Sequence, residues 1–230
     1  MQDKEKNLLA ELTSQMSSEI KIPDELMKEA EQMQGLLLYY SYAIKEIRTK
    51  LEILNDELAF RTRRNPIESI ESRVKKPASI IEKLRRKNYP VSVESIFENL
   101  HDVAGVRVIC SFIEDIYDVA DMFLKQDDIT LVEIKDYIKN PKSNGYRSLH
   151  LIVKVPIFLS DRTLDMKVEV QIRTMAMDFW AALEHQANYK KGIQGIDGLI
   201  EELTECAEII NQTDRRMQDI YHKILQAKEK

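Results

Sequence analysis

Apolar positions recur along this chain with two different periods. Between Asp24 and Arg61, Leu36, Tyr40, Ala43, Ile47, Leu51, Leu54 and Leu58 fall at three- and four-residue steps, which gathers them on one face of a long helix. Pro23-Asp24-Glu25 marks its start, since proline is tolerated at a first turn and acids face the positive helix end. Residues 3–18 read as a short amphipathic helix before it. Asn65-Pro66 ends the long helix, and Ile67 to Lys76 reads as a basic, irregular connection. Pro77 then opens a helix in which Ile80, Ile81 and Leu84 form the apolar stripe, and Val93 to Leu100 forms another short one.

After that the period shortens. Asp102 to Phe112 (DVAGVRVICSF) is apolar and β-branched at most positions, the pattern of a strand buried on both faces. Glu114 to Lys125 returns to helical spacing. Ile129 to Ile138 reads as a second strand with Leu131, Glu133, Lys135 and Tyr137 on one face. Arg147 to Pro156 and Asp165 to Arg173 follow as a hairpin turning at Ser160 to Thr163. Thr174 to Lys190 is a helix, Gly192 to Gly198 a linker, and Leu199 to Ala227 a final long helix. This order predicts an α+β fold, a mixed β-sheet flanked by long N- and C-terminal helices. The expected divisions are 1–62 (N-terminal helices), 63–191 (core) and 192–230 (C-terminal extension). The terminal helices carry more apolar stripe than one domain needs, which points to a homo-oligomer.

Charge narrows the partners. Net charge is −5, from 34 basic and 39 acidic residues, so the chain is not a general coat for nucleic acid or membrane. Yet Arg61 to Lys87 holds ten Lys/Arg against three Glu, a local excess of +7, and such a patch calls for an anionic partner such as phosphate. Cys110 and Cys206 read as buried free thiols of a reducing compartment. MQDKEKNLLAEL has no signal-peptide core, and no uncharged stretch suits a bilayer span, so a cytoplasmic location is expected.

Lys139 to His150 (KNPKSNGYRSLH) is a loop by its Pro, Ser and Asn-Gly, but it carries two lysines, an arginine, a histidine and a single tyrosine between two apolar runs. Cations beside one flat ring suit a ligand with phosphates and a base, while an ordinary solvated hairpin loop fits as well. Asp102 and Glu169 sit on predicted strands, and a mixed sheet can bring two such carboxylates to one edge beside phosphate-binding cations, the donor set of a Mg²⁺ site. His101-Asp102 resembles the pair of metal-dependent phosphohydrolases, but four histidines in all are too few for that site.

Read jointly, SRVKKPASIIEKL, DVAGVRVIC, KDYIKNPKSNGYRSLH and VEVQIRT resemble the synthetase domain shared by RelA/SpoT homologues. The length resembles that of stand-alone small alarmone synthetases. The resemblance implies a nucleotidyltransferase-like sheet and transfer of the β,γ-pyrophosphate of ATP to the 3′-hydroxyl of GDP or GTP, with release of AMP. It implies that Asp102 and Glu169 bind Mg²⁺, Glu169 also serving as general base. It also implies that Arg73 and Arg107 sandwich adenine while Lys75, Ser79, Lys83 and Arg86 line the ATP phosphates. Lys135, Lys142, Asn144, Tyr146, His150 and Gln171 match the acceptor set, Tyr146 stacking on guanine. Asp178 stands where relatives often carry a neutral polar side chain near guanine. Trp180 and Phe179 read as core, Glu184 and His185 as structural helix residues. A homotetramer and regulation by RNA or alarmone are further implications. The rival readings are an RNA-directed nucleotidyltransferase, which would release pyrophosphate, and an RNA-binding module built on Arg61 to Lys87.

Overall fold

The computed structural model describes residues 24–189 and 197–228. The expected helix over 3–18 and most of the 192–198 linker lie outside the described residues. The chain divides into two compact units, Met1–Leu36 and Leu37–Lys230. Of the first, the described part is the opening of helix α1 (Asp24–Thr62). The second holds the rest of α1 and a mixed sheet with its helices.

That sheet has five strands: β1 (Ile67–Val74), β2 (Ala104–Cys110), β3 (Thr130–Asp136), β4 (Leu149–Phe158) and β5 (Thr163–Thr174). They run in the order β1-β2-β5-β4-β3. β2 lies parallel to β5, and every other pairing is antiparallel. Between strands come α2 (Pro77–Arg86), α3 (Val93–Asn99) and α4 (Ile113–Leu124), followed by α5 (Met175–Tyr189) and α6 (Asp197–Lys228). The α+β expectation holds.

Alternation divides the two faces. Val106, Val108, Leu149, Leu151, Val153, Val168, Val170 and Ile172 are all at most 1% exposed. They form one face, with α4 packed against β2 and β5. The opposite face carries the polar members of the same strands. β2 lies between β1 and β5; Val106, Val108 and Cys110 are its buried face, while Gly105 and Arg107 on the other face are only half-buried.

Three local expectations change. Ile67 to Val74 is not irregular: it is an edge strand antiparallel to β2, with a register shift between Ile67 and Ser69. Its lack of clean alternation follows from that bulge and from its exposed side chains, since an edge strand buries little. β2 begins at Ala104, so Asp102 sits two residues before the strand. In β3 a register shift between Leu131 and Glu133 separates Leu131 from the row holding Glu133 and Lys135, and Tyr137 lies past the strand end.

Of the thiols, Cys110 is buried as expected, whereas Cys206 is exposed on α6. Phe179, read as core, is 62% exposed, and its neighbour Trp180 is 3% exposed. One turn of a helix presents successive side chains about 100° apart, so adjacent aromatics rarely share a fate.

Candidate active site

Register alone builds the polar face. Lys135 pairs with His150, His150 with Gln171, Gln171 with Arg107 and Arg107 with Glu71. The next row on the same face runs Glu133, Ile152, Glu169, Gly105 and Arg73. Directly paired residues share a face, as do residues two apart on a strand. Arg73, Arg107, Lys135, His150, Glu169 and Gln171 are thus brought together by strand pairing. A cavity of about 140 Å³ opens over this face, lined by Arg73, Asp102, Gly105, Arg107, Glu169 and Gln171. A Cβ at Gly105 would meet only the Arg73 carbonyl, at 4.0 Å, so the glycine leaves room for a ligand and relieves no clash.

At one end stands Asp102. Its Oδ2 accepts from Lys75 Nζ and Lys83 Nζ, both at 2.6 Å. Burial would raise its pKa, but these two ammonium groups outweigh it and hold the carboxyl below its ordinary range. Oδ1 is buried and has no hydrogen-bond partner. An ionised carboxylate with one saturated and one orphaned oxygen, beside a second carboxylate on the same cavity, fits a hard divalent cation that takes one or two carboxylates plus phosphate oxygens. Among the described residues no group of three or more His, Cys, Asp or Glu side chains is arranged to hold a metal ion. Tyr40 of α1 is fully buried. Burial and the nearby Asp102 charge push its phenol up to about 12.

Glu169 sits mid-face in β5. Its Oε1 lies 3.3 Å from His150 Nδ1, and its Oε2 accepts from Gln171 Nε2 at 2.9 Å. Burial raises its pKa, yet the His150 ring and the Gln171 amide overcome it, leaving the carboxyl below the usual range. Gln171 Oε1 in turn accepts from Arg173 Nη2 at 2.9 Å. Asp178 Oδ1 lies 3.5 Å from Nη1 of both Arg173 and Arg107, and Arg107 Nη1 is 3.2 Å from Glu71 Oε2. A polar chain therefore runs from Glu169 through Gln171, Arg173 and Asp178 to Arg107 and Glu71.

The 137–148 loop borders the other end. Asp136 Oδ1 accepts from the backbone N–H groups of Ile138 and Lys139 at 3.0 and 2.9 Å, and buried Ser148 donates to Ile172 O at 3.1 Å. Both loop ends are tied to the sheet. Tyr146 is half-buried, with its hydroxyl 2.8 Å from His150 Nε2. Lys142 Nζ stands 4.6 Å from its ring centroid and Arg173 5.8 Å from it, distances at which a ring quadrupole attracts a cation. Asn144 Oδ1 accepts from Tyr146 N at 3.2 Å while its Nδ2 donates to Glu184 Oε1 at 3.1 Å. Glu184, read as a structural helix residue, thus holds the loop asparagine.

The remaining expected site residues are more open. Ser79 lies in the first turn of α2 and Arg86 in its last, both exposed, and Lys135, of the expected acceptor set, has its Nζ 3.0 Å from Glu133 Oε2. Sequence reading missed Glu71, Tyr40, Arg147 and the α6 residues behind the loop. Only Glu71 had a usable signal, two residues before Arg73 on an unrecognised strand.

The region found in RelA / SpoT proteins matches residues 72–194. The GTP pyrophosphokinase YwaC of Bacillus subtilis is 44% identical over 201 residues, covering 87% of this chain and 96% of that protein. The crystal structure of small alarmone synthetase 2 from Bacillus subtilis aligns with a TM-score of 0.75 at 44% identity, over 83% of this chain and 98% of that one. Small alarmone synthetase 1 from the same organism, bound to its product pppGpp, aligns with a TM-score of 0.77 at 36% identity, over 84% and 98%. These matches span the sheet and the polar face it carries, and the chain belongs to the RelA/SpoT family.

Proposed function

We propose that the protein is a small alarmone synthetase that moves the β,γ-pyrophosphate of ATP onto the ribose 3′-hydroxyl of GDP or GTP and releases AMP. The observation that carries this reading is the pair of cross-strand rows. They line up Arg73 and Arg107, a central ionised glutamate and His150 on one continuous face beside Asp102, and the loop residue Tyr146 reaches that face through its hydroxyl contact with His150. Relatives named GTP pyrophosphokinase and a relative bound to pppGpp support it.

In this reading Arg73 and Arg107 flank adenine, since guanidinium planes stack on flat rings. Lys75 and Lys83, with Ser79 and Arg86 at the two ends of α2, take the donor phosphates. Tyr146 stacks on guanine, with Lys142, Lys135 and Asn144 around the acceptor. Glu169, already ionised and oriented from both sides by His150 and Gln171, accepts the 3′-hydroxyl proton as that oxygen attacks the β-phosphorus. The bond from the β-phosphorus to the α–β bridging oxygen breaks, and the electron pair leaves with AMP. Asp102 Oδ1 and Glu169 are the residues that would hold Mg²⁺. The ion would neutralise charge on the transferred group, whose dispersed charge makes positioning and electrostatics the main demands.

We read the catalytic core as 63–191, between helical extensions 1–62 and 192–230, in a cytoplasmic homo-oligomer, a tetramer. Exposed Ile53 and Phe60 on α1, and Met217, Ile220 and Ile224 at three- and four-residue steps along one side of α6, support assembly, because a contiguous apolar stripe favours burial against another copy. One assay tests the activity: Mg²⁺, γ-labelled ATP and GDP, with products resolved. Label in a tetraphosphorylated guanosine that disappears in Glu169→Gln supports the reading. Absence of transfer, or transfer indifferent to that substitution, rejects it.

A further inference from the structure

The family match ends at residue 194, yet the helix beyond it touches the acceptor loop. Arg147 Nη1 donates to Gly145 O and Ala207 O, each at 3.2 Å, and its Nη2 donates to Glu208 Oε2 at 2.9 Å. The Arg147 side chain keeps 12% of its exposure. Gly145 has φ +85°, and a Cβ built on it would stand 2.5 Å from the Ala207 Cβ. Loop and helix therefore meet with no room for a methyl group. Thr204 Oγ1 reaches Asn144 O at 3.5 Å, and Trp180 Nε1 of α5 donates to Leu203 O at 2.7 Å. Leu203, Thr204, Ala207 and Glu208 fall at i, i+1, i+4 and i+5, one face of α6.

We infer that α6 is the rear wall of the acceptor subsite and that Arg147 is the positioning residue that fastens the guanine-binding loop to it. The inference rests on the acceptor role given above to Tyr146. Tyr146 lies between Gly145 and Arg147, so two fixed neighbours set the height and tilt of its ring. A guanidinium is the group for this task, because one planar fork satisfies two carbonyls and a carboxylate at once, which a lysine ammonium matches poorly. With the loop held before the nucleotide arrives, less ordering entropy is lost on binding. Releasing the loop must therefore weaken the acceptor while leaving the donor alone. The donor residues stand on or beside β1, α2 and β2, and among the described residues none of their hydrogen bonds or ion pairs involves α6.

Two variants of the full chain test this, Arg147→Met and Ala207→Leu. Each is expected to raise KM for GDP about tenfold, the effect of roughly one lost favourable contact, with the affinity for α,β-methylene-ATP held within twofold. Tryptic cleavage after Lys139 and Lys142 in the loop should quicken about tenfold with no change elsewhere in the chain. General loss of folding would instead weaken both nucleotides together and speed cleavage throughout. That pattern in both variants, or unchanged KM and cleavage in both, overturns the inference. Should Arg147→Met fail to fold, Ala207→Val applies a smaller clash to the same contact and decides it by the same readouts. If the wild type binds GDP but transfers no label, the proposed activity fails, while the loop's protection from trypsin still decides whether α6 is its wall.

Discussion

The two halves of the proposed site are built in different ways. On the donor side, Arg73, Ser79 and Arg86 are exposed, and Lys75 and Lys83 are half-buried on a single carboxylate. Most of these groups come from one stretch of chain, β1 and α2. On the acceptor side, Tyr146, His150, Gln171 and Arg173 are buried or half-buried and linked in a chain that passes from His150 to Gln171 through Glu169. Their supports come from β4, β5, α5 and α6. The donor half is a set of long cationic side chains that must order around a ligand, and ordering such side chains costs entropy. The acceptor half is ordered already. Charge should therefore dominate donor binding, and geometry should dominate acceptor binding. Raising salt from about 0.1 to about 1 M, where screening shortens from ~10 to ~3 Å, is expected to weaken α,β-methylene-ATP far more than GDP. Equal weakening in paired titrations would erase the contrast.

The largest expected effect lies where the halves meet. Glu169→Gln keeps the Gln171 contact geometry but removes the base, and kcat should fall about 10²–10⁴-fold with both nucleotide affinities nearly unchanged. Burial raises the Glu169 pKa, but His150 and Gln171 bring it below its ordinary value of 4.5. A base works when deprotonated, so the wild-type acid limb of kcat/KM should lie below pH 4.5, and a limb near 6 would contradict the role. Tyr146→Ala comes next. Loss of one stacked base costs about 1–3 kcal/mol, so GDP affinity should drop roughly 5–150-fold while donor affinity stays. A matching loss of both nucleotides would make Tyr146 a structural ring and not a platform.

The same contrast explains what the chain disclosed before its fold was known. β2 and β4 were legible as apolar runs and β5 as an alternating one, because each buries at least one full face in the core. Edge strand β1 was not, because Ile67 and Ile70 sit three apart across a bulge and, Val74 apart, the rest of its side chains are exposed. The cations proposed for the donor were legible as a group because they are neighbours in sequence. The loop proposed for the acceptor was legible as a loop, but not its support. Arg147 and Glu208 are 61 positions apart, and nothing in either residue's surroundings names the other. Asp178 was noticed only as an oddity of type, and its place between two arginines is a product of packing. Phe179 and Cys206 failed for a simpler reason, since an apolar residue on a helix is not obliged to face inward.

A smaller effect separates support from binding. Arg173 is 3% exposed, and among the described residues Asp178 is the one carboxylate in ion-pair range of it. Asp178→Asn leaves Arg173 and Arg107 facing each other without that charge, and stripping a buried group of its partner costs about 1–3 kcal/mol. A lower Tm is expected, with acceptor affinity reduced more than donor affinity because Arg173 backs Tyr146 and Gln171. An unchanged Tm would show that the polar chain across the sheet ends at Gln171.

The smallest effect tests the rear support by strengthening it. Thr174 Oγ1 accepts from Met177 N at 3.1 Å, capping α5, and donates to Asp214 Oδ2 at 2.5 Å on α6. Asp214 is 9% exposed. Burial raises its pKa, and the Thr174 hydrogen bond only partly opposes that. A carboxyl whose folded pKa lies above its unfolded value favours folding fully at low pH and loses that contribution as pH rises through the folded pKa. At neutral pH the charge is therefore a burden on the fold. Asp214→Asn keeps an acceptor for Thr174 and removes the charge. It should raise Tm at pH 7 by about 2–4 °C if the relief is about 1 kcal/mol, and the gain should vanish near pH 3, where the wild-type group is protonated in both states. If the Tm gain appears and KM for GDP stays fixed, the junction of β5, α5 and α6 acts on stability alone. If KM for GDP falls with it, the stiffness of this junction reaches the acceptor loop, and the acceptor half owes its order to a helix that the catalytic motifs do not contain.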